Sequence, residues 1–219
     1  MARYRMLLST AVLTAVLAAP LAAQRTRMQD WQNRWYWGIK GGMTTYQLPS
    51  SGTVAAPAVG ADWLITQRRT ALYASYSRSL QAEQDTFAVT GLSGTNNEVA
   101  FDGVQKITIG LVAIIGDSRL QPYLGGGFAL HILANAHSTT PNPAAAVSTA
   151  ISDAASGAFL FFVGGLQYRM GTKGAVFASW QYSPLGRTYM LQGGSSSFEA
   201  GFRYAFLNAR DEGIGSRSP

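Results

Sequence analysis

Apolar and polar residues alternate along most of this chain, and the alternation is clearest near the C-terminal end. Over residues 198–206, one face would carry Phe198, Ala200, Phe202, Tyr204 and Phe206, and the other Glu199, Gly201, Arg203 and Ala205. Successive side chains of a strand point to opposite faces. The stretch therefore predicts a strand with one apolar, aromatic face and one small or charged face.

The same period of two recurs upstream and predicts seven further strands. In residues 101–115, for example, Ile107, Ile109 and Leu111 alternate with Lys106 and Thr108. The eight predicted strands cover residues 35–48, 54–65, 70–81, 101–115, 120–134, 158–170, 175–183 and 198–206. The polar stretch 83–98 and the Ala/Ser/Thr-rich stretch 137–157 are predicted loops, the second with a short helical turn near 144–155.

The predicted connections differ in length. Three are tight turns, at 67–69, 116–119 and 171–174, whereas the other four are longer. An even number of strands, with short turns at one end and long loops at the other, is typical of a transmembrane β-barrel. Aromatic residues near the short-turn ends predict one aromatic girdle: Trp35, Trp37, Trp63, Tyr168 and Phe206. A closed barrel leaves no free edge, so the last strand should pair with the first.

A soluble lipocalin-like barrel is the alternative fold, because it also has eight strands. It would place the apolar face inward and present a richly charged outer face to water. Charged residues make up only 13% of this chain, against about 25% in an ordinary soluble domain. The polar face is therefore better suited to a crowded interior, and we predict an all-β, eight-stranded, antiparallel, up-and-down transmembrane β-barrel.

The N-terminal segment predicts export. Arg3 and Arg5 precede an apolar run over residues 6–19, and the stretch that follows ends in Ala22 and Ala23. This order is typical of a secretory signal peptide, and an uncleaved anchor is the alternative. We predict a signal peptide at 1–23, a short periplasmic leader at 24–34, the barrel at 35–208 and a periplasmic tail at 209–219.

Charge and cysteine content exclude some functions. The chain has no cysteine, which excludes disulfides, zinc–thiolate sites and a cysteine nucleophile. Its net charge is +6, but the basic residues form no patch with interleaved aromatics, so we expect no nucleic-acid partner. Basic residues collect at the short-turn end (Arg25, Arg27, Arg34, Arg68, Arg69, Arg119, Lys173, Arg210, Arg217), and acidic ones in the long loops (Glu83, Asp85, Glu98, Asp153). This indicates either contact with anionic headgroups or merely solvated turns.

The inward face of such a barrel would hold a cluster of charged residues: Lys40, Asp62, Asp102, Lys106, Arg169, Glu199 and Arg203. Two interpretations stay open. The charges form a polar ion path, or they form mutually compensating ion pairs that fill a narrow lumen. In either case we expect Glu199 to be held between Lys40 and Arg203.

No residue pattern predicts catalysis or a cofactor. The chain has two histidines, and no serine lies at strand spacing on the face of His131. Ser138 follows His137, but sequence adjacency in a loop does not make a catalytic pair. Gly125, Gly126 and Gly127 lack the helix and lysine of a phosphate-binding loop. We therefore expect no catalytic, cofactor-binding or metal site.

Three stretches carry a resemblance to a known family. They are residues 37–42 (WGIKGG), residues 120–127 (LQPYLGGG) and the last strand, in which Glu199, Gly201, Tyr204 and Phe206 resemble the C-terminal assembly signal of outer-membrane barrels. The chain is similar to the small eight-stranded outer-membrane β-barrels, such as OmpA transmembrane domains, OmpX and OmpW. The resemblance implies an outer-membrane location, with lipid and the barrel assembly machinery as partners.

For function, the resemblance implies a non-enzymatic protein with a structural or surface-interaction role and a lumen filled by side chains. A passive carrier or small porin for small molecules, whether hydrophobic or not, is the alternative, and a lipid A-modifying enzyme is a third. We expect a monomer.

Overall fold

The computed structural model describes residues 34–88, 96–171, 173–186 and 188–208. The predicted signal peptide, the leader up to residue 33 and the predicted tail lie outside these ranges. The described chain is dominated by long antiparallel strands.

Eight of the strands close into a barrel, in which sequence neighbours are also spatial neighbours. They are β1 (Arg34–Leu48), β2 (Gly52–Gln67), β3 (Thr70–Ser79), β6 (Val104–Ile114), β7 (Leu120–Leu133), β9 (Ser156–Met170), β10 (Gly174–Pro184) and β11 (Gln192–Asn208). The predicted eight-stranded, antiparallel, up-and-down barrel is confirmed.

The barrel closes where β11 pairs antiparallel with β1, which confirms the predicted seam. Ile39 lies opposite Phe202, Gly38 opposite Arg203, and Gly42 opposite Glu199. Every barrel strand thus has two hydrogen-bonded neighbours, and no unpaired edge remains in the barrel.

The two faces of the barrel are inverted relative to a soluble protein. Ile39, Phe128 and Leu111 point outward and are 73%, 69% and 66% exposed, whereas Thr108 and Glu199 point inward and are buried. The outer surface therefore carries an apolar belt, and the polar side chains lie inside. The lipocalin-like alternative requires the opposite arrangement.

Aromatic side chains gather on the outer face at the short-turn end, as predicted. The Trp37 and Trp63 rings meet edge to face with centroids 5.1 Å apart, and the Tyr204 and Phe206 rings do so at 4.9 Å. Tyr168 is half-exposed on the outer face of β9. Such a girdle is typical of a membrane–water interface, where amphipathic rings are enriched.

The long connections contain more regular structure than the sequence predicts. β4 (Glu83–Ala88), β5 (Asn96–Phe101) and β8 (His137–Ser138) form a separate three-stranded sheet outside the barrel. The prediction of a loop at 83–98 was wrong at both ends of the stretch, which pair as strands, because Phe87 within it and Val99 just beyond it are enough to bury one face. Conversely, the β1–β2 connection is a tight turn at 49–51 rather than a longer loop.

The predicted helical turn is confirmed as helix α1 (Ala145–Ala154), which lies in the β8–β9 connection. Of the helical residues that the structure describes, none forms a segment long and apolar enough to cross a membrane. β11 begins at Gln192, six residues before the predicted start. The sequence hides this extension, since serines rather than alternating apolar residues occupy positions 195–197.

An apolar core closes the barrel at the long-loop end, and we call it the cap. It joins the ends of barrel strands to α1, the three-stranded sheet and the β10–β11 loop. Its buried members are Tyr46, Leu48, Ala56, Phe87, Val99, Phe101, Val104, Leu133, Ile151, Ala155, Tyr189, Met190 and Leu191. The long connections therefore fold inward over the barrel mouth.

Candidate functional site: the filled lumen

Glycines on the inward face make room for large side chains inside a narrow barrel. A Cβ on Gly38 would overlap Asp62 Oδ1 and come within 2.8 Å of Arg203 Cγ. A Cβ on Gly201 would come within 2.9 Å of the Phe177 ring. The lumen is packed tightly enough that one methyl group has no space at either position.

The first buried ion pair joins Arg203 on β11 to Asp62 on β2. Arg203 Nε and Nη2 donate to Asp62 Oδ2 at 2.8 and 2.5 Å, and both side chains are almost fully buried. Arg203 Cζ also lies 3.8 Å from the centroid of the Phe177 ring. Burial strengthens both the charge-assisted hydrogen bonds and the cation–π contact, because water does not compete for the guanidinium.

The second buried ion pair joins Lys40 on β1 to Glu199 on β11. Lys40 Nζ lies 2.7 Å from Glu199 Oε2, and each side chain is 1% exposed. Gln181 Nε2 donates to the same carboxylate oxygen at 3.2 Å and to the Tyr73 hydroxyl at 2.8 Å. Lys40 also donates to Ser75 Oγ at 3.2 Å. This network crosses the lumen and links opposite walls.

Lys106 is a third buried cation, near the cap. Its Nζ donates to Ser197 Oγ at 2.7 Å, and Ser197 Oγ lies 3.1 Å from Thr44 Oγ1. Among the described residues, Lys106 has no carboxylate within 4.0 Å, although it interacts electrostatically with Glu199. His131, opposite Lys106 in the β6–β7 register, is buried.

Two residues of the predicted cluster lie apart from the ion pairs. Asp102 is exposed in the β5–β6 connection and accepts a hydrogen bond from Asn135 Nδ2 at 2.7 Å. Its assignment to the lumen was wrong, because the barrel strand begins only at Val104. Arg169 faces the short-turn mouth, where its Nη2 donates to the carbonyls of Asp117 and Ser118 at 2.9 and 2.8 Å.

The structure thus confirms the inward position of six predicted residues. Arg169 lies at the mouth, and the other five form two ion pairs and one neighbouring cation: Lys40, Asp62, Lys106, Glu199 and Arg203. The expectation that Glu199 lies between Lys40 and Arg203 was wrong in one partner, since Arg203 binds Asp62. Sequence reasoning also missed the neutral members of the network, Gln181, Tyr73 and Ser197. Their inward positions in the alternation would have identified them.

The short-turn mouth contains a small recess lined partly by Tyr36, Gln121, Gln167 and Arg169. Its volume is about 30 Å³, enough for roughly two water molecules. Gln167 Nε2 donates to Gln121 Oε1 at 3.0 Å across the mouth, and Arg203 Nη1 donates to Gln167 Oε1 at 3.3 Å. Side chains therefore occupy the lumen from the mouth to the first ion pair.

At the opposite end, Asp85 fastens the three-stranded sheet to the β1–β2 turn. Its Oδ2 accepts from the backbone N–H groups of Ser50 and Ser51 at 3.0 and 3.2 Å, and its Oδ1 from that of Thr86 at 2.7 Å. Burial alone would raise the pKa of Asp85, but these hydrogen bonds favour the carboxylate and hold its pKa below the ordinary value.

The described residues offer little for catalysis. His131 is fully buried, with its ring packed edge to face against Phe159 and Tyr189 at 5.7 and 6.3 Å between centroids. His137 is exposed and its Nδ1 contacts the Asn135 carbonyl at 2.7 Å. No group of three or more His, Asp or Glu side chains in the described ranges is placed to hold a metal ion.

Comparisons with known proteins agree with the architecture. No family model and no curated protein matches the chain. Among solved structures, it is similar to Neisserial surface protein A (TM-score 0.54, 14% identity), over 78% of this chain and 97% of that one. OprG from Pseudomonas aeruginosa matches at TM-score 0.48 and 13% identity, over 81% and 98% of the two chains.

Ail of Yersinia pestis matches at TM-score 0.44 and 16% identity, over 79% of this chain and 99% of that one. At these identities the likeness concerns the fold rather than the activity. Together with the closed strand order and the inverted faces, the likeness to Neisserial surface protein A leads to one conclusion: this chain has the fold of the small eight-stranded outer-membrane β-barrels.

Proposed function

We propose that this protein is a non-enzymatic barrel of the bacterial outer membrane, whose role is structural or lies in surface interactions of its capped end. The observation that carries the proposal is the lumen itself. Two ion pairs at 2.5 and 2.7 Å cross it, and the apolar cap covers it at the long-loop end. A barrel built in this way presents surfaces to its surroundings and offers no passage.

A membrane location is supported by the inverted faces. Exposed Ile39, Phe128 and Leu111 belong to a belt that water would solvate poorly, and the backbone groups of the barrel strands are paired through closure. The terminal strand supports recognition by the assembly machinery: Tyr204 and Phe206 lie outward at the short-turn end, whereas Glu199 and Gly201 face inward.

The carrier alternative requires a space for cargo. In the described lumen, Phe177, Arg203 and Asp62 pack against one another where a passage would run, and the recess below them is small. The enzyme alternative requires a histidine that a lipid substrate can reach. His131 is sealed beneath the cap, and the Nδ1 of exposed His137 contacts the backbone carbonyl of Asn135 rather than a serine, so neither alternative gains a supporting observation.

Single cysteines test the proposed location cleanly, because the chain contains none. Thr149 lies exposed on α1 in the cap, and Lys173 lies exposed in the β9–β10 turn. We expect a membrane-impermeant maleimide to label Thr149→Cys on intact cells and Lys173→Cys only after the outer membrane is disrupted.

Heat-modifiable migration of both variants on gels would show that each still folds as a barrel. Recovery of the folded protein in the soluble periplasmic fraction would contradict the proposal. Equal labelling of Thr149→Cys and Lys173→Cys on intact cells would contradict the orientation.

A further inference from the structure

The charged residues outside the lumen are segregated between the two ends of the barrel. At the short-turn end the structure describes one carboxylate, Asp117, and four exposed cationic side chains, which we call the basic rim: Arg68, Arg69, Arg119 and Lys173. The described carboxylates of the long-loop end are Glu83, Asp85, Glu98, Asp102 and Asp153, and Arg78 lies on the outer face of β3 near that end. We propose that the basic rim is a docking surface for anionic phospholipid headgroups in the leaflet that surrounds the short-turn end.

The position of the basic rim relative to the aromatic girdle supports this partner. Arg119 directly precedes Leu120, which pairs with Tyr168, and Lys173 directly precedes Gly174, which pairs with Tyr204. Each strand residue advances the chain by about 3.3 Å, so the rim begins within one residue of rings that mark the lipid–water interface. Long cationic side chains at this depth lie among phosphates rather than in bulk water.

The β2–β3 turn gives a second, independent observation. Gln67 pairs with Thr70, so Arg68 and Arg69 are the two residues of a tight hairpin turn. Arg68 has a φ of 53°, in the left-handed region that glycine and asparagine adopt at lower cost. Turn propensity therefore does not account for arginine at this position, whereas contact with an anionic surface does.

Few of these cations are neutralised within the protein. Arg69 Nη2 lies 3.4 Å from Asp117 Oδ2 in an exposed pair, which solvent weakens. Arg68, Arg119 and Lys173 are exposed. These side chains surround the barrel mouth, so together they could contact the headgroup phosphates of several lipids.

The inference rests on the proposed membrane location, and its test keeps the two apart. The native protein is reconstituted in phosphatidylcholine vesicles with trace spin-labelled phosphatidylglycerol or spin-labelled phosphatidylcholine. Electron paramagnetic resonance then gives the relative association of each lipid with the protein. Because both leaflets have the same composition, the orientation of the inserted barrel does not affect the result.

We expect roughly a threefold or larger preference for phosphatidylglycerol, reduced by 1 M salt, since the attraction is electrostatic. The variant Arg68→Gln/Arg69→Gln/Arg119→Gln/Lys173→Gln should lose most of the preference. Arg119→Gln alone should lose part of it, which keeps the test valid if the fourfold variant fails to fold. Arg78→Gln, which removes a cation from the outer face of β3 near the other end, should keep the preference.

Gel migration before and after heating reports folding of every variant. Native protein that inserts and folds without preferring phosphatidylglycerol would overturn the docking surface and leave the membrane barrel intact. An equal loss of preference in Arg78→Gln and Arg119→Gln would also overturn it. Failure of the native protein to insert would instead count against the proposed function.

Discussion

Glu199→Gln is the most informative substitution in the lumen, because it removes one charge and almost no volume. Glu199 is the described carboxylate that faces both Lys40 and Lys106, through an ion pair of 2.7 Å with the first and an electrostatic interaction with the second. The substitution leaves two buried cations at this level without a counterion. Removing one member of a buried pair costs about 3–5 kcal/mol of unfolding free energy, and we expect Glu199→Gln to reach that range.

Lys40→Met, which removes the partner, should cost less. Glu199 then keeps Gln181 at 3.2 Å as a hydrogen-bond donor and Lys106 as a counterion. The free energy of unfolding should therefore fall by as much as on losing one hydrogen bond to a charged group, about 1.5–3 kcal/mol. The two partners of one ion pair should therefore differ in cost, and the third cation, Lys106, is the physical reason.

Urea unfolding in vesicles, followed by tryptophan fluorescence and by heat-modifiable migration, measures these differences. The midpoint should fall while the denaturant slope stays unchanged, since the surface exposed on unfolding is the same. Ser179→Ala is the matched control: Ser179 lies opposite Glu199 in the β10–β11 register, and its buried hydroxyl has no hydrogen-bond partner. Removing this hydroxyl should leave the free energy of unfolding almost unchanged.

A larger loss of unfolding free energy in Lys40→Met than in Glu199→Gln would refute the assignment of Lys106 as a second counterion. A cost for Glu199→Gln no larger than that of Ser179→Ala would refute the buried pair altogether.

Three further predictions concern the faces, the packing and the cap. Leu111→Arg should lose about 2–4 kcal/mol in vesicle unfolding, because Leu111 faces lipid near mid-strand, whereas Leu111→Ala should be tolerated; equal costs would contradict the assigned face. Gly38→Ala should lose about 1–3 kcal/mol through overpacking, while Gly164→Ala, with no neighbour within 4 Å, should not. Asp85 has a lowered pKa in the folded state, so its stabilising contribution is complete above the unfolded value of 3.8 and is lost as pH falls through the folded pKa. Amide exchange in the β1–β2 turn should therefore accelerate in acid, and Asp85→Asn should remove most of that dependence.

The barrel was predictable because its determinants are local. Each barrel strand alternates along its own sequence, so Leu111 and Thr108 could be assigned to opposite faces without knowledge of any partner strand. Closure then follows from the requirement that no edge stays unpaired, which places β11 beside β1. The aromatic girdle follows in turn from which connections are short.

The cap and the pairing inside the lumen were harder to predict because both depend on contacts between distant segments. Phe87 and Val99 look like isolated apolar residues in a polar stretch until β4, β5 and β8 are brought together. Alternation places Glu199 and Arg203 inside, but the choice between Lys40 and Asp62 as partners depends on the register between strands and on the space left by Gly38. Asp102 was misplaced because the alternation predicts a strand from residue 101, whereas the barrel strand begins at Val104.

Single-molecule conductance in planar bilayers tests the closed lumen most directly. With the Arg203–Asp62 and Lys40–Glu199 pairs intact and the cap in place, the native protein should insert without producing current steps above background. Insertion can be verified by recovering heat-modifiable protein from vesicles prepared in the same way. Stable, voltage-independent current steps from the native protein would contradict a lumen filled by side chains.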